Sequence, residues 1–224
     1  MSQFYKSFKE IKNYKFDGII ITGAPIEKLA YETVNYWREL CEIFDWAVTN
    51  AHSVFSVCWG AMAMLNFRFG INKYPLSRKA FGCYRHENLS PNSPYLRGIS
   101  DEIIVPISRW TKIKVEEVKR NSELKILLNS TDMGPCLIEE QKSRNLYMLN
   151  HFEYETNSLN EEYQRDLNLF NSAPKPENYF PKEEPNLKPK NRWRSHAHLL
   201  FGNWINQIYQ ETPFDINSIR ENTS

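Results

Sequence analysis

Apolar positions along the chain alternate between short continuous runs and longer stretches with helical spacing. Phe16–Thr22 (FDGIIIT) reads as a buried strand, ended by Gly23-Ala24-Pro25. Over Tyr31–Trp46 the apolar residues Val34, Trp37, Leu40, Ile43 and Phe44 fall at helical spacing. Ser53–Val57 is a second buried strand that runs directly into Cys58-Trp59-Gly60 and then the helix-compatible Ala61–Phe69. Ile103–Val105, Leu124–Leu128 and Leu146–Leu149 are further strand candidates, and Leu159–Leu169 reads as a helix. Between Ser172 and Pro189, Pro174, Pro176, Pro181, Pro185 and Pro189 stand among charges and forbid regular structure, which predicts an exposed loop. A C-terminal helix is expected over Ser195–Tyr209, with Leu199, Leu200, Trp204, Ile205 and Ile208 on its apolar side. Strands alternating with helices predict an α/β fold with a mostly parallel sheet.

One strand comes early. A doubly wound sheet normally opens with a strand-turn-helix unit, whereas this chain begins with a polar, aromatic-laced helix before Phe16. The sheet is therefore expected to lack its first strands.

Composition narrows the classes. A chain of 224 residues, 41% hydrophobic, can bury one substantial core, so a single domain over 1–224 is expected. With 28 basic and 27 acidic residues the net charge is +1, and no concentrated basic footprint marks a nucleic-acid binder. Apolar runs such as Gly18–Thr22 and Val54–Cys58 fall far short of the roughly 20 residues of a membrane span. The opening MSQFYKSFKEIKNYKF has no apolar core of a secretory signal, so the expectation is cytoplasmic, without membrane or nucleic acid. Cys41, Cys58, Cys83 and Cys136 form no CxxC pair and have no histidine at metal-ligand spacing, so free thiols and no metal site are expected.

Cys58 stands apart by its context. A buried strand delivers it to a sharp turn, and a helix begins at once. Such an elbow holds the sulfur at the carboxyl edge of the sheet, where α/β sites lie. The helix N-terminus favours a thiolate, and the backbone N–H of Trp59 points where an oxyanion would form. Gly60 leaves room for strand and helix to approach. On this pattern alone a buried core cysteine is an equally good reading. His151 shifts the balance, because it lies just past the Leu146–Leu149 strand with Glu153 two residues on. A cysteine nucleophile needs a base, and the base needs a third group to fix its tautomer. The other histidines fit ordinary roles: His52 precedes a strand, His86 lies in a loop, and His196 and His198 sit on the C-terminal helix.

The stretches FYKSFKEIKNYKFDGIIITGAPIE, CWGAMA, GINKYPLSRKAFG, SRWT, HFEYETNSLNEEYQRD and NRWRSHAHLLFGNWINQIYQETPFD resemble the homoserine O-succinyltransferase/O-acetyltransferase family over essentially the whole chain. That family shares its flavodoxin-like, three-layer core with class I glutamine amidotransferases. The resemblance implies a ping-pong acyl transfer with acyl-CoA as co-substrate, no bound cofactor, and a small hydroxy amino acid as acceptor. It assigns Cys58 as the acyl-carrying nucleophile, His151 as general base and Glu153 as its orienting partner. It places Arg165, from the EYxRD segment, on the acceptor's carboxylate, and Ser108 and Lys73 in the substrate site. Donor choice in the family follows the residue after the TGAP-hydrophobic turn. Here that is Glu27, which fills the space a succinyl group would use and repels its carboxylate, so acetyl-CoA is the expected donor.

The chain also departs from the family. The resemblance begins at Gln3, so the family's front segment, which supplies the first strands and a lysine near the acyl site, is expected to be missing. A homodimer or a complementing N-terminal fragment is therefore an expected partner, and a non-catalytic or split-subunit homologue is the alternative to an enzyme. A glutaminase-like hydrolase on the same Cys-His-Glu set is a third reading. CWGAQ has become CWGAM with Met62; GHPEY is replaced by Asn150-His151-Phe152-Glu153-Tyr154; the PHSRH-like run carries Ile107 and Trp110.

Overall fold

The structure is a computed structural model that describes residues 4–219. In chain order its helices are α1 (Phe8–Ile11), α2 (Trp37–Asn50), α3 (Trp59–Phe69), α4 (Val115–Lys119), α5 (Ser158–Phe170) and α6 (Arg194–Glu211). Its strands are β1 (Phe16–Ile21), β2 (Ala51–Val57), β3 (Tyr74–Asn88), β4 (Glu102–Lys112), β5 (Leu124–Ser130), β6 (Gly134–Glu140) and β7 (Asn145–Met148). They form one sheet in the order β1-β2-β7-β6-β5-β3-β4.

The α/β class is as expected, but the strand directions are not those of a mostly parallel sheet. Only β1–β2 and β2–β7 run parallel, whereas β7–β6, β6–β5, β5–β3 and β3–β4 are antiparallel. A continuous apolar run reports burial on both faces, and the antiparallel strands here are buried that way as well, as β6 shows. The parallel part holds the site.

Two apolar clusters sandwich the sheet. On one face α6 packs Leu200, Trp204 and Ile208 with Phe55 and Val57 of β2. On the other, Phe44 of α2 and Met64 of α3 pack with Val54 and Tyr147. Every residue of β2 is buried, and each large apolar side chain sealed in this way contributes about 1.5–3 kcal/mol. α6 crosses β1 so closely that a Cβ on Gly18 would lie 2.6 Å from Ile208.

Several elements differ from the sequence reading. Tyr31–Trp46 is not one helix: a short 3-10 turn covers Tyr31–Thr33, Val34 is extended, and α2 begins only at Trp37. His86 lies within β3 and is fully buried, and His52 is inside β2. The proline-rich segment is irregular but not simply exposed, because Tyr179 and Phe180 are buried and Glu177 bridges Gly82. On α6, Leu199 and Ile205 face outward, and Ala197, Leu200, Trp204 and Ile208 are the buried positions.

Candidate active site

β2 carries Cys58 to the carboxyl edge of the sheet and releases it into a positive-φ turn conformation, with φ 53° and ψ −124°. A non-glycine residue rarely adopts this backbone, and such strain concentrates at functional turns. The turn is held from both sides: the Cys58 N–H donates to Met148 O at 2.7 Å, and its carbonyl accepts from Met62 N at 3.1 Å to start α3. Trp59 is the first residue of α3, so its N–H has no acceptor within the helix. Two glycines make this corner. A Cβ on Gly60 would lie 2.7 Å from Thr22 O, and one on Gly23 would lie 2.9 Å from Trp59 N. The 22–25 turn thus passes close beside the free amide, which a side chain at Gly23 would crowd.

β7 is the parallel neighbour of β2, with Met148 paired to Val57, so the segment after β7 emerges beside Cys58. It carries His151. The His151 N–H donates to Pro106 O at 3.0 Å, the ring stacks on Tyr154 at 4.2 Å, and Nδ1 lies 2.6 Å from Glu153 Oε1. With Nδ1 so engaged, Nε2 is left for Cys58. Burial on its own would suppress the imidazolium, but interaction with Cys58 and with Glu153 outweighs it and pushes His151 up to about 10. The cysteine, histidine and glutamate named from the sequence meet as one set.

They open into a cleft of about 280 Å³, which Glu27, Ser108, Glu162 and Arg165 also line. Ser108 Oγ donates to Glu162 Oε1 at 2.7 Å, and Lys79 Nζ reaches Glu162 at 2.6 Å and Asp166 at 3.3 Å. Arg165 is the exposed member, held by Asp166 Oδ1 at 3.0 and 2.8 Å from Nε and Nη2. That hydrogen bond is the main reason its guanidinium is held further above its usual range. Lys73 is elsewhere. Its ammonium donates to the carbonyls of Glu27 and Leu29, lies over the Tyr31 ring, and borders a separate cavity of about 610 Å³. Burial lowers its pKa. It braces the loop that presents Glu27. Among the described residues no cluster of three His, Cys, Asp or Glu could hold a metal ion.

A family model described as homoserine O-succinyltransferase matches residues 1–214. The chain is 53% identical over 224 residues to a homoserine O-acetyltransferase of Ruegeria sp. (strain TM1040), covering all of this chain and 72% of that protein. It is 56% identical over 216 residues to a homoserine O-acetyltransferase of Rhizobium leguminosarum bv. trifolii, covering 96% of this chain and 70% of the other. The chain belongs to the homoserine O-succinyltransferase family. It is an acyltransferase. A glutamine amidotransferase from Thermotoga maritima superposes with a TM-score of 0.64 over 88% of this chain and 79% of its own, at 12% identity, which establishes a shared fold.

Two residues of this family member's site escaped the sequence reading. Glu162 lies one helical turn before Arg165 on α5 and joins Ser108 to Lys79. Lys79 stands only six positions beyond Lys73 in the same quoted stretch. Choosing between them required knowing that Tyr74–Asn88 is a strand beside β4, because that pairing carries Lys79 toward Ser108. Burial marks Lys79 too: its side chain is 6% exposed, against a carboxylate pair.

Proposed function

We propose that this acyltransferase moves an acetyl group from acetyl-CoA, through a thioester on Cys58, to the hydroxyl of L-homoserine or a related hydroxy amino acid. The observation that carries the reading is the single cleft in which Cys58, His151 and Glu153 open beside Ser108 and Arg165. The names of its relatives supply acetyl and homoserine.

In this reading the Cys58 sulfur attacks the thioester carbonyl of the donor, and the oxyanion is held by the free Trp59 N–H. The leaving coenzyme thiolate takes the proton that His151 carries. His151, now neutral, accepts the proton of the acceptor hydroxyl as that oxygen attacks the acyl carbon, and the Cys58 thiolate is released. Glu153 holds the imidazole by Nδ1 throughout. Ser108 and Arg165 receive the amino acid, with a guanidinium suited to its carboxylate. Glu27 limits the acyl pocket, and Lys73 keeps its loop in place. The cleft is below the size of a pocket for a drug-sized ligand, so the body of the donor must lie outside it. An adjoining cavity of about 650 Å³, which shares Pro25, Glu27, Glu162 and Arg165 with the cleft, gives that room.

Initial rates with acetyl-CoA and homoserine test this, because a thioester intermediate requires parallel double-reciprocal lines. Glu27→Gly should raise turnover of succinyl-CoA relative to acetyl-CoA by about tenfold or more. Intersecting lines, or an unchanged donor ratio, would count against the mechanism and the donor assignment respectively.

One observation favours a second reading, a subunit that needs a partner. β1 is an edge strand, and Ile20 on it is 51% exposed, so its outer side offers unpaired backbone to another strand. Light scattering of the purified chain, with activity measured on the same sample, separates a self-sufficient enzyme from one completed by a second copy or by another polypeptide. Glutamine hydrolysis without acyl-CoA would instead point to a glutaminase-like enzyme.

A further inference from the structure

Arg109, beside Ser108 on β4, is a cation sealed inside the protein, 3% exposed. Its Nη1 donates to Thr111 O and its Nη2 to Met133 O, each at 2.6 Å, and its Nε donates to Asn150 Oδ1 at 3.3 Å. None of these partners is a carboxylate. A buried charge without a counter-charge is costly, and burial lowers the guanidinium to about 10.

The groups that face it can be sorted by whether they can supply that counter-charge. They are Cys58 at the head of α3, Cys136 on β6, and Tyr84 and His86 on β3. Burial pushes Cys136 up to about 12 and Tyr84 above the usual tyrosine range, so both stay neutral at physiological pH. His86, held down to about 4 mainly by burial, is neutral as well. Cys58 alone among them is half-buried and opens to the cleft.

The hydrogen bonds also have one consistent direction. With Asn150 Oδ1 facing Arg109, its Nδ2 donates to His86 Nε2 at 3.0 Å, which leaves His86 Nδ1–H to donate to Tyr84 O at 3.0 Å. Asn150 is the residue immediately before His151.

We propose that Arg109 is a positioning residue for the acyl transfer: through Asn150 it fixes the backbone that carries His151, and with it the placement of the imidazole against Cys58. The inference rests on Cys58 being the nucleophile.

The test reads the thiol directly and needs neither substrate. Iodoacetamide alkylation of Cys58, located by peptide mass spectrometry, is followed against pH in the full chain. Arg109→Met removes the charge; Arg109→Lys keeps it; Asn150→Asp retains Arg109 but sets a carboxylate against it. The pH of half-maximal alkylation should rise by about one unit in Arg109→Met and Asn150→Asp, and should stay near wild type in Arg109→Lys. In steady-state transfer, kcat should fall about tenfold in Arg109→Met with little change in the acceptor's KM. An unchanged alkylation profile in Arg109→Met overturns the proposal, as it does in Asn150→Asp should Arg109→Met fail to fold. An equal shift in Arg109→Lys overturns it too, since packing rather than the hydrogen bond to Asn150 would then be responsible. If the shifts appear but no acyl transfer occurs in wild type, Arg109 still positions His151 against Cys58 and the transferase reading fails.

Discussion

At the scale of single residues, the pair His151–Glu153 decides how the site responds to pH. His151 is raised above its unfolded value because Cys58 and Glu153 together overcome its burial. A raised pKa means that its contribution to stability is complete below about pH 6.5 and is lost as pH climbs through about 10. Glu153 is 42% exposed on its side chain, so solvent weakens its share and its removal should have a moderate effect. Glu153→Gln should move the alkaline limb of the pH–rate profile down by about one unit and lower kcat about tenfold to a hundredfold. A profile that stays in place would mean Glu153 does not act on the imidazole. Cys58, His151 and Glu153 were legible because each sits just past a strand that reads clearly as apolar. Lys79 and Glu162 were not, because charged residues on a half-polar strand and an amphipathic helix look like solvated surface until the pairing places them.

At the scale of elements, the site depends on β2 and β7 being parallel neighbours and on α3 starting tight against the 22–25 turn. The two effects of Gly60→Ala oppose one another. Alanine would gain about 1 kcal/mol in helix propensity, but its Cβ would meet Thr22 O at 2.7 Å, a backbone atom that cannot swing aside. Such overpacking costs about 1–3 kcal/mol. We expect net destabilisation of up to about 2 kcal/mol and, because Cys58 is displaced, a loss of activity of about a hundredfold. Denaturant unfolding and kcat on the same preparation check both. The elements that were legible are those with one dominant period: β1, β2, β5, β7, α3, α5 and α6 lie close to their predicted ranges. β3 and β6 were not. β3 mixes Pro75, Gly82 and four charged residues, and the one half of it that is buried has no simple alternation. β6 opens with Gly134-Pro135 straight after a turn, which reads as punctuation rather than strand. Strand direction was equally hidden, because burial on both faces is common to both pairings here.

At the scale of the molecule, the C-terminal segment supports His151 from a distance. Trp193, fully buried at the head of α6, donates from Nε1 to Tyr154 O at 2.7 Å, and Tyr154 is the ring on which His151 stacks. Trp193→Phe keeps an aromatic ring in place but removes the N–H, leaving that carbonyl unpaired and a gap where the second ring stood. It should cost about 2 kcal/mol, a fall in Tm of about 6 °C for a protein of this size, and lower kcat more than acceptor KM. A variant that melts like wild type would show that the bond is dispensable. Among the described residues, β1 ends the sheet on one side and β4 on the other.

Central to the proposed function is a Cys58 sulfur that carries the acyl group. The purified chain, incubated with radiolabelled acetyl-CoA and no acceptor, should acquire label on the peptide containing Cys58. The label should be released by added homoserine and be absent from Cys58→Ala. Transfer to homoserine that proceeds undiminished in Cys58→Ala, or label that forms without dependence on Cys58, would contradict the account.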